Sequence, residues 1–288
     1  MKEPLFTGVC TALITPFREG EINYSMVEQL LNRQIEAGVK AVVIAGTTGE
    51  SPTLTDEEKL TLFCHCKEIA SGRCMIIAGT GSNNTAHSVE LSIAAEHAGA
   101  DALLVVSPYY NKATAEGIYQ HYRSICQKVS LPVIVYNVPG RTGLDIPVSV
   151  YQRLADISNI AGVKEASSDI TKIARIRIAC GDDLPIWSGN DDQIVPVMAL
   201  GGMGVISVLS NIKPKQTVTM CNAALKGDFN TASDLQCRML PLIEVLFSEV
   251  NPIPVKAAMK EIGYDCGNCR LPLCEIGKVS LQNLRNCL

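Results

Sequence analysis

Eight short runs of apolar, mostly β-branched residues recur along the chain, and they constrain its fold more than any other feature. Segments with helical periodicity lie between them, at residues 26–37, 56–70, 85–97, 115–129 and 170–180. Runs that are apolar throughout are typical of strands buried on both faces of a parallel sheet. The eight predicted strands span residues 9–14, 41–45, 75–79, 102–106, 133–138, 160–163, 185–188 and 204–209.

Eight alternations of strand and helix are typical of a (β/α)8 TIM barrel, an α/β fold that needs about 250 residues. After residue 209 the chain predicts helices without strands, at 213–226, 229–250, 254–262 and 281–288. We therefore expect a catalytic barrel over residues 1–226 and a C-terminal helical domain over 227–288. A doubly wound open sheet is the alternative, but Gly79-Thr80-Gly81 lacks the third glycine of a dinucleotide-binding loop.

The composition excludes several classes of partner. The chain has 47% hydrophobic and 19% charged residues, a net charge of -4 and a pI near 5.6. No basic surface for nucleic acid or an anionic membrane is expected from these values. The first ten residues lack a basic segment followed by an apolar one, so we expect a cytoplasmic protein.

One segment resembles a membrane span, because residues 193–212 carry no charged side chain over a length that could cross a bilayer. Pro196 and the glycine-rich residues 201–204 argue against one continuous helix there. We predict a short helix, a turn and the last buried strand instead.

Histidine and cysteine usage argues against a metal enzyme. No strand end offers an imidazole base or a histidine metal ligand, because all four histidines fall in helical segments. They are His65, His87, His97 and His121. Cys266, Cys269 and Cys274 have only partial zinc-site spacing and no convincing fourth ligand. We predict no metal site, and free thiols in place of disulfides, as is usual in a reducing compartment.

The sixth predicted strand delivers a lysine, Lys164, to its carboxyl end, where barrel enzymes place their catalytic groups. Lysine in water is almost fully protonated, and burial favours the neutral, nucleophilic amine. One interpretation is an imine-forming lysine. The alternative is a rim lysine paired with Glu165 or another neighbouring acid.

Polar residues follow the other strands. Thr47 and Thr48 lie in a glycine-rich loop suited to a small carboxylate, while Tyr136 lies at the end of the fifth strand and Arg141 follows it. Each has a structural alternative, as turn residues, a rim aromatic or a solvated arginine. Together with Lys164 they fit Schiff-base chemistry on a 2-oxo acid.

Three motifs resemble those of the dihydrodipicolinate synthase family, within the pyruvate-dependent class I aldolases that include N-acetylneuraminate lyase. They are GTTGE at residues 46–50, YNVPGRTG at 136–143 and GVKE at 162–165. The resemblance runs from the first strand through residues 251–256, nearly the whole chain. The GRTG loop is specific to the synthase branch.

The resemblance implies that pyruvate condenses with Lys164 without a cofactor. The enamine would attack aspartate 4-semialdehyde to give 4-hydroxy-tetrahydrodipicolinate, in diaminopimelate and lysine biosynthesis. Tyr136 would relay protons, and Thr47 would link it to Tyr110 of a neighbouring subunit in a homotetramer, a dimer of dimers. The other implied contacts with substrate are made by Thr48 to the pyruvate carboxylate, Arg141 to the semialdehyde carboxylate, and Gly189 and Ile206 in the pyruvate pocket.

Lysine-regulated members of this family bind the inhibitor near Ser51, Asp56, Asn83 and Tyr109. These members commonly have a glutamate that binds the ammonium group of the inhibitor. This chain has His87 at that position, and the nearby Lys59 adds a positive charge, the same sign as that ammonium group. We therefore predict weak or absent inhibition by lysine.

Two other functions remain open at this point. A sugar-acid aldolase or N-acetylneuraminate lyase would keep the Schiff base but would not need Arg141 for a second carboxylate. A non-catalytic barrel that binds a 2-oxo acid would not need the proton relay through Tyr136.

Overall fold

Eight parallel strands form a closed barrel in the computed structural model, which describes residues 2–288. Each strand pairs with its neighbours in chain order, and β1 closes the barrel against both β2 and β8. The predicted (β/α)8 fold is confirmed. The strands are β1 (Gly8–Ala12), β2 (Ala41–Ile44), β3 (Met75–Gly79), β4 (Ala102–Val106), β5 (Val133–Asn137), β6 (Ile160–Glu165), β7 (Ile186–Ser188) and β8 (Gly204–Ser207).

The strands are apolar throughout because both of their faces are covered. On β2, Ala41 and Val43 belong to a cluster inside the barrel, while Val42 and Ile44 pack toward the surrounding helices. Successive side chains of a strand point to opposite faces, so each strand serves both layers. Trp187 is the largest fully buried residue of the inner cluster, and its indole Nε1 donates to the Phe6 carbonyl oxygen at 3.2 Å.

Helices surround the barrel and follow the predicted segments closely. The second begins with a capping box, since Thr55 Oγ1 accepts from Glu58 N at 3.1 Å and Glu58 Oε2 accepts from Thr55 N at 2.8 Å. The fourth ends three residues earlier than predicted, at Cys126. The outer helices are α1 (Tyr24–Glu36), α2 (Asp56–Ala70), α3 (Thr85–His97), α4 (Ala115–Cys126), α5 (Val148–Ala155), α6 (Ile170–Cys180), α7 (Ile194–Ala199) and α8 (Pro214–Leu225).

Two features have no counterpart in the sequence prediction. Helix α5 has only eight residues, and its N-cap residue Pro147 provides no side-chain cap, so its local signal is weak. A small antiparallel hairpin, Phe17–Arg18 with Glu21–Ile22, follows β1. The uncharged segment forms α7, a turn and β8 as predicted, and no helix within residues 2–288 is long and apolar enough to cross a membrane.

The C-terminal region consists of α9 (Phe229–Leu246), α10 (Ile253–Glu261) and α11 (Lys278–Cys287). Helix α9 is four residues shorter than predicted and packs on α8, with Met220 and Ala232 in one apolar cluster. The domain boundary between residues 226 and 227 stays a prediction. The segment between α9 and α10 approaches the carboxyl ends of the strands, where Asn251 contacts Thr48 and Arg141.

Candidate active site

Lys164 lies near the end of β6 with its side chain inside the barrel. It is 5% exposed, and the strand register places it beside Tyr136 on β5 and Trp187 on β7. Residues paired in this way share one face of a parallel sheet. The Lys164 amine lies 4.3 Å from the centroid of the Tyr136 ring, a cation–π contact. The two groups predicted to carry the chemistry are therefore in contact.

No carboxylate lies at hydrogen-bond distance from the Lys164 amine among the described residues. Within residues 2–288 it forms no ion pair or hydrogen bond, and its neighbour Glu165 points to the opposite face of β6. The Glu165 carboxylate accepts from Asn137 Nδ2 and Tyr151 OH at 2.8 Å and from Ser167 N at 2.9 Å. The alternative in which Lys164 pairs with Glu165 is wrong, because adjacent strand residues cannot share a face.

Gly189 lies next to Lys164, and Ile206 lies inside the barrel. A Cβ at Gly189 would stand 2.6 Å from Ala166 Cβ and 3.2 Å from Lys164 Cε, so a larger residue would displace the reactive side chain. Ile206 is fully buried in the inner cluster that also contains Tyr136. Gly189 therefore shapes the space next to the Lys164 side chain, and the pocket role of Ile206 stays a prediction.

Asp191 is a further buried acid at this end of the barrel, and the sequence analysis did not single it out. Its Oδ2 accepts from Val208 N and Leu209 N, each at 2.9 Å, which holds the turn after β8. Burial raises the pKa of the Asp191 carboxyl, against the opposing effects of the Ser207 hydroxyl, these two backbone donors and the charge of Lys164. Its place directly after a strand end was the available signal.

A cavity of about 550 Å³ opens at the carboxyl end of the barrel. Thr47, Tyr136 and Arg141 form part of its wall, and Lys59 and His87 form another part. Lys164 is not part of the wall but contacts Tyr136, which is. Two members of the predicted proton relay, Thr47 and Tyr136, thus border one continuous space with Arg141 and part of the predicted inhibitor region.

The loop after β2 is held by the C-terminal region. Thr48 is buried, and its Oγ1 accepts a hydrogen bond from Asn251 Nδ2 at 3.0 Å. Glu50, in left-handed backbone conformation at φ 59°, pairs with Lys256 Nζ at 2.8 Å and accepts from Arg270 N at 2.8 Å. These contacts fix the backbone that carries Thr47 and Thr48.

Arg141 is exposed at the cavity wall but is not free in solvent. It lies in a single helical turn, Pro139–Thr142, and its Nη2 donates to the Asn251 carbonyl oxygen at 3.1 Å. A guanidinium has five N–H donors in a planar fork, so most remain available for a carboxylate.

Comparison with known proteins decides the family. A model of the dihydrodipicolinate synthetase family matches residues 5–288. The chain belongs to this family. A relative from Acetivibrio thermocellus, named 4-hydroxy-tetrahydrodipicolinate synthase, is 46% identical over 288 residues, which is 100% of this chain and 98% of the relative.

Solved structures of family members have the same fold. Dihydrodipicolinate synthase from Thermotoga maritima superposes with a TM-score of 0.96 at 42% identity, covering 98% of this chain and 97% of that one. The chloride-inhibited dihydrodipicolinate synthase from Acinetobacter baumannii, solved in complex with pyruvate, superposes with a TM-score of 0.96 at 41% identity. The match covers 98% of this chain and 97% of that one.

Tyr110 is the one predicted catalytic residue that the fold does not bring to the site. Its side chain is 88% exposed, its backbone φ is +70°, and it does not line the cavity. The role implied for it requires a second subunit of this family fold, and it stays a prediction.

The predicted inhibitor region differs in charge from what a lysine ligand needs. His87 Nε2 lies 2.7 Å from Asp56 Oδ2, and Lys59 Nζ lies 3.1 Å from Asp56 Oδ1. Burial alone would raise the pKa of Asp56, but the hydrogen bonds from His87 and Lys59 outweigh it and hold that pKa below its usual value. The one carboxylate here is engaged, and weak lysine inhibition stays a prediction.

The cysteines of the tail do not gather around one point. Within residues 2–288 no group of three or more His, Cys, Asp or Glu side chains is arranged to hold a metal ion, and all twelve cysteines are free thiols. Cys266 is buried, Cys269 is half-buried, and Cys274 is exposed. Burial raises the pKa of the Cys269 thiol to about 12, which disfavours the thiolate that would bind a metal.

Proposed function

We propose that this chain is a class I aldolase-type lyase that condenses pyruvate with L-aspartate 4-semialdehyde to give 4-hydroxy-tetrahydrodipicolinate. The observation that carries the proposal is the buried Lys164, which has no acid partner and lies against Tyr136. The relative named 4-hydroxy-tetrahydrodipicolinate synthase supports the choice of substrates and the place in lysine and diaminopimelate biosynthesis. The reaction needs no cofactor, because the lysine imine itself withdraws electrons.

The neutral Lys164 amine attacks C2 of pyruvate, and water leaves as the imine forms. The imine acidifies the methyl group, which loses a proton to give an enamine. The enamine carbon then attacks the aldehyde carbon of the second substrate, whose oxygen takes a proton. Finally the amine of that substrate attacks C2, the bond to Lys164 breaks, and the ring closes. Tyr136 carries a hydroxyl, its ring contacts the amine, and it is assigned to these proton transfers.

Two anion-binding groups give the substrates their orientation. Thr48 binds the pyruvate carboxylate from the loop after β2, and Arg141 binds the semialdehyde carboxylate from the loop after β5. Gly189 leaves room for the Lys164 side chain, and Ile206 closes the apolar side of the pocket. A sugar aldehyde lacks the second carboxylate, so Arg141 favours the semialdehyde.

The proposal includes an oligomer, a homotetramer built as a dimer of dimers. The exposed Tyr110 would reach the site of a neighbouring subunit and connect through Thr47 to Tyr136, which completes the proton relay. The 88% exposure of a tyrosine near the cavity supports this role. We place the enzyme in the cytoplasm, where the twelve free thiols fit a reducing environment.

Borohydride trapping tests the covalent step. The purified protein is incubated with pyruvate and reduced, and the peptide containing Lys164 is expected to gain the mass of the reduced adduct. Lys164→Ala is expected to gain nothing. Tyr136→Phe is expected to retain trapping but to turn over about 10²-fold or more slowly, because only the proton relay is removed. No adduct on the wild-type peptide would refute the proposed function.

Turnover with two aldehydes tests the substrate. The wild type is expected to consume pyruvate only with aspartate 4-semialdehyde and not with a sugar aldehyde. Equal rates with both would assign the chain to the sugar-acid aldolases instead.

A further inference from the structure

We propose that Asn251 is a positioning residue that orients both anion-binding groups of the site, Thr48 with its side chain and Arg141 with its backbone. The inference rests on the proposed function, in which these two residues bind the carboxylates of the two substrates. Asn251 lies between α9 and α10 and is 5% exposed. It is separated from Thr48 by 203 positions in the chain.

The side-chain contact determines which way the Thr48 hydroxyl points. Asn251 Nδ2 donates to Thr48 Oγ1 at 3.0 Å, so the threonine oxygen acts as the acceptor in this bond. The hydroxyl proton is then directed away from Asn251 and remains available to a ligand. A carboxylate accepts hydrogen bonds but donates none, so a Thr48 hydroxyl that points its proton toward the pocket is the form that pyruvate needs.

The backbone contact acts on the second group. The Asn251 carbonyl oxygen accepts from Arg141 Nη2 at 3.1 Å, which holds one corner of an otherwise exposed guanidinium. A long arginine side chain loses rotamer entropy when it binds a ligand, and a preformed contact reduces that loss. Because this acceptor belongs to the backbone, replacing the Asn251 side chain leaves it in place. The two effects of Asn251 can therefore be separated by mutation.

The hydrogen bonds of Asn251 differ from those of an asparagine with a purely structural role. Asn251 Oδ1 is buried and has no partner among residues 2–288. Asn211 uses both ends of its amide, donating to the Ala12 and Val208 carbonyl oxygens at 2.9 and 3.0 Å and accepting from Ile14 N. Buried polar groups are normally satisfied, and an unsatisfied one calls for an explanation. Asn251 is used here for its donor alone, and that donor points at Thr48.

The test compares Michaelis constants for the two substrates in Asn251→Ala and Asn251→Asp. Alanine removes the donor, and we expect KM for pyruvate to rise about tenfold, as for one lost hydrogen bond at a charged ligand. Aspartate offers an acceptor that captures the Thr48 proton and repels the pyruvate carboxylate, so we expect a rise of about 100-fold. In Asn251→Ala, KM for the semialdehyde should change by less than about threefold, since the carbonyl that holds Arg141 is unchanged.

Asn159→Ala is the matched control. Asn159 Nδ2 donates to the carbonyl oxygens of Cys126, Val129 and Leu131, and the residue precedes β6 at the opposite end of the barrel. Its loss is expected to lower the unfolding temperature without changing either KM. The double variant Thr48→Val with Asn251→Ala gives the second control, because without the Thr48 hydroxyl the Asn251 change should raise KM for pyruvate no further.

The inference is overturned if Asn251→Ala leaves KM for pyruvate within twofold of wild type, or raises both KM values equally. If the alanine variant does not fold, the near-isosteric Asn251→Asp carries the test, and an unchanged KM for pyruvate overturns the inference. Borohydride trapping on the wild type distinguishes a failure of the proposed function from a failure of the positioning role of Asn251. If the wild type forms no adduct, the proposed function is refuted. If the wild type forms the adduct but substitution of Asn251 does not change KM for pyruvate, only the positioning role is refuted.

Discussion

Two buried lysines of this chain have similar surroundings and different partners. Lys164 in the barrel is 5% exposed, and Lys256 in the C-terminal region is 3% exposed. Each amine lies 4.3 Å from the centroid of an aromatic ring, that of Tyr136 for Lys164 and that of Phe17 for Lys256. Lys256 Nζ also lies 2.8 Å from Glu50 Oε1 and donates to the Asn268 carbonyl oxygen at 3.0 Å. Lys164 has neither kind of contact within residues 2–288.

The difference shows what makes a buried lysine structural or reactive. A carboxylate at hydrogen-bond distance compensates the ammonium charge and keeps it in place, at the expense of nucleophilicity. Lys164 forms no such ion pair, so no partner holds its nitrogen and the amine can react with a carbonyl carbon. One buried lysine, Lys256, thus anchors the loop after β2, whereas Lys164 is the proposed nucleophile.

The largest effect is expected for Lys164→Met, which removes the amine but keeps the length of the side chain. Turnover should fall by about 10⁴-fold or more, as when a covalent nucleophile is deleted. Stability should stay equal or rise, because the amine makes no hydrogen bond or ion pair that the apolar side chain would lose. Steady-state rates and urea unfolding of the same preparation measure both. A clear loss of stability would show that Lys164 is a structural lysine after all.

Lys256→Met is expected to give the reverse outcome. Glu50 would be left buried without its cation, and the free energy of unfolding should fall by about 3 to 4 kcal/mol. Urea unfolding measures the loss, and the double variant with Glu50→Gln should recover part of it, since the orphaned charge is then gone. If Lys256→Met were as stable as Lys164→Met, the comparison between paired and unpaired lysines would fail.

The smallest effect concerns His121, a buried base that, like Lys164, has no acid at hydrogen-bond distance among the described residues. Burial lowers the pKa of His121 to about 4. Between pH 6.5 and 4 the unfolded chain binds more protons at this residue than the folded one, so stability falls as the pH falls. At pH 5 the loss attributable to His121 should be about 2 kcal/mol.

The control for this prediction is His121→Gln, which keeps a hydrogen-bonding side chain next to Thr85 and removes the titration. Unfolding free energies are measured at pH 7 and pH 5 for both proteins. The wild type should lose about 2 kcal/mol more than the variant over this range. Equal losses would mean that burial without an acid partner does not disfavour the charged form here.

The barrel could be predicted because its signals are local. Each strand is a short apolar run, and helices such as α2 carry their own caps and amphipathic spacing. Even the uncharged segment that resembles a membrane span contained the proline and glycines that divide it into α7 and β8. Helix α5 escaped prediction because eight residues without a cap produce little local signal.

The candidate site could be predicted only in part. Lys164, Tyr136 and Arg141 were found because residues at the carboxyl ends of barrel strands converge on one rim. Asn251 was not, although it lies in the stretch that resembles the family, since nothing near it in sequence points to Thr48.

The sequence by itself determined the order of elements, the closed barrel and which residues reach its carboxyl end, because these depend on periodicity within each segment. Only the tertiary structure decided that Lys164 and not Glu165 faces the barrel interior, that Lys256 has an acid partner, and that Asn251 contacts both Thr48 and Arg141. Those facts depend on strand register and on contacts between residues up to about 200 positions apart, and no local pattern encodes them.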